Sequence, residues 1–160
     1  LYRKARMDGI VPNLVTFVVM LSACSHAGLL KEGDNLFDEM CGVYHLAPAL
    51  EHYTCMIDLF GRSGCFNKVN TLLDKVSYSG YLPLFLSVLG ACRKWRNVKL
   101  AKWAFEKSIH LDEKCAGAYI SMQNIYVSAG MQKEAHGVKA LRVKNKAWVM
   151  PGCYWWSDVH

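Results

Sequence analysis

His52-Tyr53-Thr54-Cys55-Met56-Ile57-Asp58-Leu59-Phe60-Gly61-Arg62-Ser63-Gly64 sets Tyr53, Met56, Ile57 and Phe60 three and four residues apart and then closes on a glycine. Apolar residues at that spacing share one face of an α-helix, and a glycine just after them suits a left-handed helix end. The same pattern recurs as Thr16-Phe17-Val18-Val19-Met20-Leu21-Ser22-Ala23-Cys24-Ser25-His26-Ala27-Gly28. It returns as Leu84-Phe85-Leu86-Ser87-Val88-Leu89-Gly90-Ala91-Cys92-Arg93-Lys94-Trp95-Arg96 and as Ala118-Tyr119-Ile120-Ser121-Met122-Gln123-Asn124-Ile125-Tyr126-Val127-Ser128-Ala129-Gly130. The aromatic column Phe17, Tyr53, Phe85, Tyr119 and the turn column Gly28, Gly64, Arg96, Gly130 both step by 36, 32 and 34 residues. The register therefore holds across four units.

Each unit continues into a second helix: Leu30 to Met40, Phe66 to Val76, Val98 to Ile109, and Met131 to about Val143. Gly33, Val69, Ala101 and Ala135 form a column of small or short side chains, which lets neighbouring helices approach closely; Leu36, Leu72, Ala104 and Val138 follow three residues on. A helical pair of this size cannot bury its apolar face alone, so the pairs must stack. The fold class is therefore all-α, an α-solenoid of helix-turn-helix repeats. The tetratricopeptide signature W-x₂-L-G-x₂-Y is absent, and the uneven spacing also departs from that repeat.

The 160 residues are 52% hydrophobic and 20% charged, which excludes general disorder. The longest apolar stretch, from Ile10 to Ala23, contains Pro12 and Asn13 and is too short to be a membrane-spanning helix. The chain opens on Leu1 without a cleavable-signal pattern, which predicts a piece of something longer. Residues 1–80 carry seven Lys/Arg against eight Asp/Glu; residues 81–160 carry twelve against five. A basic half fits an anionic partner, nucleic acid above all, or else a solubilising surface. The seven cysteines are an odd number with no CxxC among them, and Cys24, Cys55 and Cys92 lie in apolar runs. They read as buried reduced thiols rather than a disulfide framework or a zinc site. No G-x-S-x-G elbow and no phosphate-cradling P-loop occurs. Catalysis is not expected, and neither is a cofactor or a metal.

Six stretches in order resemble the C-terminal end of the repeat array in a plant pentatricopeptide repeat protein of the PLS class. Gly9-Ile10-Val11-Pro12-Asn13 resembles the end of a P-type repeat, placed at 1–13. Residues 14–49 resemble an L-type repeat through Leu21-Ser22-Ala23-Cys24-Ser25-His26-Ala27-Gly28, and residues 50–81 an S-type repeat through Asp58-Leu59-Phe60-Gly61-Arg62-Ser63-Gly64. Residues 82–115 resemble a first E-type repeat through Gly90-Ala91-Cys92-Arg93, and residues 116–150 a second through Asn124-Ile125-Tyr126. Pro151-Gly152-Cys153-Tyr154-Trp155 resembles the Pro-Gly box, with the tail at 151–160. The resemblance implies single-stranded RNA binding in a mitochondrion or chloroplast and a role in site-specific cytidine-to-uridine editing. The E-type repeats would connect the array to a deaminase domain, in cis or on a partner. The deaminase chemistry itself needs an HxE…PCxxC pattern for zinc and its proton shuttle. No HxE and no CxxC occurs in this chain.

By the same resemblance, the fifth and last residues of each motif read one base per repeat. These positions hold Val18 and Ala49, Thr54 and Tyr81, Leu86 and Cys115, and Ile120, while Asn13 closes the preceding motif. Val18, Ala49, Leu86 and Ile120 cannot hydrogen-bond a base edge. Thr54 can, or is simply a solvated or backbone-bonded hydroxyl. Sequence-blind phosphate contact falls to Arg93, Lys94, Arg96, Lys99 and Lys102, interleaved with Trp95 and Trp103, and then to Lys139, Arg142, Lys144 and Lys146. The alternative is a solvated basic surface over a Trp-covered core. Trp148, Trp155 and Trp156 either cap the solenoid or meet a protein partner. Three functions remain open: an RNA-binding adaptor, a protein-interaction module that binds a deaminase or editing cofactor without touching RNA, and a helical-repeat scaffold of tetratricopeptide type.

Overall fold

A computed structural model of the chain describes residue 9, residues 11–77 and residues 80–149. The Pro-Gly box, Trp155 and Trp156 lie outside the described residues. Among the described residues all regular structure is helical: α1 (Leu14–Ala27), α2 (Leu30–Gly42), α3 (Leu50–Arg62), α4 (Phe66–Lys75), α5 (Leu82–Trp95), α6 (Val98–Leu111), α7 (Ala116–Ser128) and α8 (Gln132–Lys144). None is long and apolar enough to cross a membrane. The odd-numbered helices pack each on the next and form one continuous layer. Each even-numbered helix packs on the helix before it, α2 and α6 also reach the following odd-numbered helix, and α2 meets α4 through the Asp34–Lys68 ion pair. Continuity of the solenoid is carried mainly by the odd-numbered layer.

The repeated columns explain that layer. Phe17, Phe85 and Tyr119 are fully buried, as are Leu21, Ile57 and Leu89 one turn on. Each such side chain removed from water contributes about 2–3 kcal/mol. Gln123 breaks the second column and stays half-buried. The small-residue column does what its sizes allow. A Cβ on Gly33 would collide with Leu59 Cδ2 of the next repeat, and Val69, Ala101 and Ala135 are buried. Gly61 plays the same part inside the odd-numbered layer, where a Cβ would run into Ala91 of α5.

The turn column is left-handed throughout, with φ of 68° at Gly28, 76° at Gly64 and 76° at Gly130. Arg96 adopts φ 54° at the same point although it is not a glycine. Its N–H bonds Cys92 O, and Asn97 next to it caps α6 by accepting from Leu100 N–H at 3.2 Å. Past α8 the chain folds back: Ala147 N–H donates to Arg142 O at 3.1 Å and Ala147 is fully buried. Asn145 Nδ2 donates to Tyr119 Oη at 2.8 Å, and that hydroxyl donates to Glu113 O at 2.9 Å.

The six described cysteines are free thiols, with Cys24, Cys92 and Cys115 buried and Cys55 half-buried. Burial pushes the Cys92 thiol from 9.0 up to about 12. Burial, then the nearby Asp58 carboxylate, pushes Cys55 to about 11. An unfolded thiol ionises near 9 while the folded Cys92 does not, so folding stability from this group is intact below pH 9 and is lost as pH rises toward 12. Urea unfolding between pH 9 and 11 should therefore show a stability loss that is shallower in Cys92→Ala, by up to about 1 kcal/mol per pH unit.

Candidate nucleic-acid interface

Each repeat offers two edges of the odd-numbered layer: the helix N-terminal edge, where the base-reading candidates lie, and the turn edge, where the cations gather. Asn13, Ala49, Tyr81 and Cys115 occupy the N-cap positions of α1, α3, α5 and α7. Val18, Thr54, Leu86 and Ile120 lie one turn inside those helices, all half-buried. Asn13 Oδ1 accepts from Thr16 N–H and from Thr16 Oγ1, both at 3.0 Å, so its oxygen serves the helix start. Thr54 Oγ1 donates to Leu50 O at 2.8 Å. That bond uses its only hydrogen and leaves an acceptor oxygen, which suits an amino group on a base edge. Burial, then the Glu51 and Cys55 charges, hold the Tyr81 phenol above its usual range. Tyr81 thus lies near the turn of α3 that carries Thr54. Val18 and Ala49 have no polar side-chain group to offer a base edge.

The five phosphate candidates divide between layers. Arg93 and Lys94 end α5, Arg96 forms its turn, and all three are exposed. Lys94 Nζ donates to Arg62 O at 3.3 Å and stands 5.1 Å from the centroid of the Trp95 ring. Lys99 and Lys102 are exposed on α6 in the other layer; Lys102 Nζ sits 5.9 Å from the Tyr126 ring of α7. Trp103 is half-buried, its ring edge-on to Phe85 at 5.6 Å. Trp95 remains 48% exposed. Trp148, 54% exposed, lies against the Arg142 guanidinium at 5.8 Å, while Arg142 Nε donates to Ala147 O at 2.9 Å.

Two clusters were not singled out from sequence. His52 is buried to 1% exposure, with Nδ1 accepting from Ala49 N–H at 3.1 Å and Nε2 against Leu14 O at 2.9 Å. This is the neutral tautomer carrying its proton on Nε2, and it ties the start of α3 to the start of α1. At the turn edge, buried Ser25 donates to Asp58 Oδ2, which also accepts from Arg62 Nε at 2.9 Å. Arg62 therefore joins the cations of the next repeat, 32 residues before Lys94 in the matching position. The i,i+4 pair Asp58/Arg62 was a readable signal; the partners of His52 were not, because they depend on the inter-repeat register. Among the described residues no group of three His, Cys, Asp or Glu could hold a metal ion.

A helical-repeat solenoid with one continuous layer of odd-numbered helices is the class that this geometry defines. Comparison with known proteins narrows it. The model of the PPR repeat matches residues 15–42 and 51–81, and that of the E motif matches residues 95–157. A chloroplastic pentatricopeptide repeat-containing protein of Arabidopsis thaliana is 37% identical over 153 residues, 96% of this chain and 21% of the relative. A mitochondrial one from the same plant is 39% identical over 144 residues, 90% of this chain and 22% of the relative. The crystal structure of the pentatricopeptide repeat protein PPR10 from maize superimposes with a TM-score of 0.75 at 22% identity, covering 94% of this chain and 22% of that one. The chain belongs to the pentatricopeptide repeat family, and it spans about a fifth of the length of the curated relatives it matches. Proteins of this repeat type are typically RNA-binding adaptors that read one base per helical repeat.

The His52 bridge yields a direct check. His52→Ala removes both backbone bonds at a buried junction and should cost about 2 kcal/mol in urea denaturation. A loss below about 0.5 kcal/mol would show that the bridge adds nothing to the packing of α3 on α1.

Proposed function

We propose that this chain is the C-terminal part of a site-specificity factor for cytidine-to-uridine editing of organellar RNA. In this reading it is a single-stranded RNA adaptor of the PLS class, without its own catalysis, that helps recruit a deaminase domain. The carrying observation is that two PPR repeats are followed by an E motif, with the odd-numbered helices of both regions stacked in one layer. Thr54 with Tyr81 and Asn13 supply what base-edge chemistry the fragment has. Arg93, Lys94 and Arg96 supply phosphate contact at the turn edge, with Lys99 and Lys102 set back on α6. The location is a mitochondrion or chloroplast, in keeping with relatives named for each.

A second reading is favoured by one specific feature. The fifth positions of the later repeats are Leu86 and Ile120, half-buried and without a polar group. They fit an E region that faces a deaminase or editing cofactor rather than a base, with Trp148 and the tail residues Trp155 and Trp156 as partner contacts.

Titration of labelled single-stranded RNA at increasing salt separates the two readings. An RNA track loses affinity steeply with salt, and replacing Arg93, Lys94 and Arg96 together by Ala makes the slope of log K on log salt shallower by about 2. Absence of binding even at low salt assigns the fragment to protein recruitment.

A further inference from the structure

The turn after α5 departs from the other three turns in two ways at once. Arg96 stands where Gly28, Gly64 and Gly130 stand, yet holds the left-handed conformation at φ 54°. A side chain there is strained where glycine is not, as it is at His45 and Lys146 outside the turn column, and such an outlier in a turn otherwise made by glycine motivates a functional reading of its side chain. Beside it, Trp95 crosses to the turn of the preceding repeat. A Cβ on Gly64 would lie 2.7, 2.9 and 3.1 Å from Cζ2, Cε2 and Cη2 of the indole. Near-equal distances to three adjoining ring atoms mean that Gly64 rests against the face of the ring, not its edge. The glycine thus makes room for the indole, which keeps 48% of its surface in water. The Lys94 ammonium stands near it, and Arg93 and Arg96, two residues before and one after it in the chain, are exposed as well. Among the described residues no carboxylate forms a salt bridge with Arg93, Lys94 or Arg96.

We infer that Trp95 and Arg96 form a nucleobase-and-phosphate clamp on the turn edge of the solenoid, separate from the base-reading positions at the helix N-terminal edge. An indole seated on one face, with the Lys94 ammonium near its ring and exposed arginines beside it in the chain, has the chemistry that holds single-stranded nucleic acid. A base stacks on the ring, and its phosphate meets the Arg96 guanidinium. The contact is blind to sequence, since every base has a stacking face. The clamp gives the basic half of the chain a grip on RNA that does not need polar residues at the fifth positions. This inference rests on the RNA-binding reading above.

The two residues are tested by substitutions that act in opposite directions on fold and on binding. Arg96→Gly removes strain, so the melting temperature rises by about 3 °C. The same change weakens RNA and makes the salt slope shallower by about 0.7. Trp95→Leu lowers affinity for oligouridine about tenfold and leaves affinity for inorganic polyphosphate, which has no bases, unchanged. Should Arg96→Gly lower the melting temperature, Arg96 is structural and the clamp is refuted. Equal losses for oligouridine and polyphosphate in Trp95→Leu would refute stacking. Unaltered RNA affinity in both variants, with the wild-type chain binding, refutes the clamp and leaves the RNA-binding reading standing. Failure of the wild-type chain to bind oligouridine at low salt refutes that reading itself.

Discussion

The close approach of α1, α3, α5 and α7 governs everything else in this chain. Those helices carry the fully buried Phe17, Ile57, Phe85 and Tyr119, and none of them has enough partner surface within its own repeat. Stacking is the only way to take that surface out of water. It succeeds because Gly61 admits Ala91 and Gly33 admits Leu59 across the repeat boundaries. A methyl group at either place has nowhere to go in a close-packed interior. The polar groups at the boundaries then fix the register that apolar packing leaves loose: His52 bridges to the Leu14 carbonyl at one edge, and Ser25 bonds Asp58 at the other. This layer is the main route by which one repeat's position is passed to the next, with α2 and α6 adding contacts to the following odd-numbered helix.

That layer also sorts the functional groups. Residues at the N-cap and one turn further inward fall on one edge of it, and residues of the last turn on the other. The N-terminal edge is weakly polar here, with Thr54, Tyr81 and Asn13 among Val18, Ala49, Leu86 and Ile120. The turn edge is cationic and aromatic, with Arg62, Arg93, Lys94, Trp95 and Arg96. On the RNA-binding proposal, a chain built this way holds an RNA backbone more readily than it discriminates bases.

Fold and repeat register were legible in the sequence because each column answers to one physical need: burial for the aromatic column, closeness for Gly33, Val69, Ala101 and Ala135, and a left-handed turn for the glycines. Even Arg96 kept its place in the turn, since the packing on either side and the cap at Asn97 override its own preference. The site was less legible. Arg93 through Lys102 read as one basic patch, but the chain reverses at Arg96 and puts Lys99 and Lys102 in the other layer. Asn13 read as a base reader, yet the sequence Asn13-x-x-Thr16 also spells a helix cap, and its oxygen is used there. His52 gave no signal, because both of its partners are backbone groups positioned only by tertiary packing. Residues 82–94, most of α5, fall between the two family matches, yet α5 stacks as fully as its neighbours.

The central claim is that RNA lies along the odd-numbered layer, and hydrogen exchange with and without bound single-stranded RNA tests it most directly. Slower exchange in the peptides covering residues 50–64 and 82–97, with α2, α4 and α8 unchanged, is the result this account requires. Protection confined to α8 and residues 145–149, or to the even-numbered helices, would contradict it.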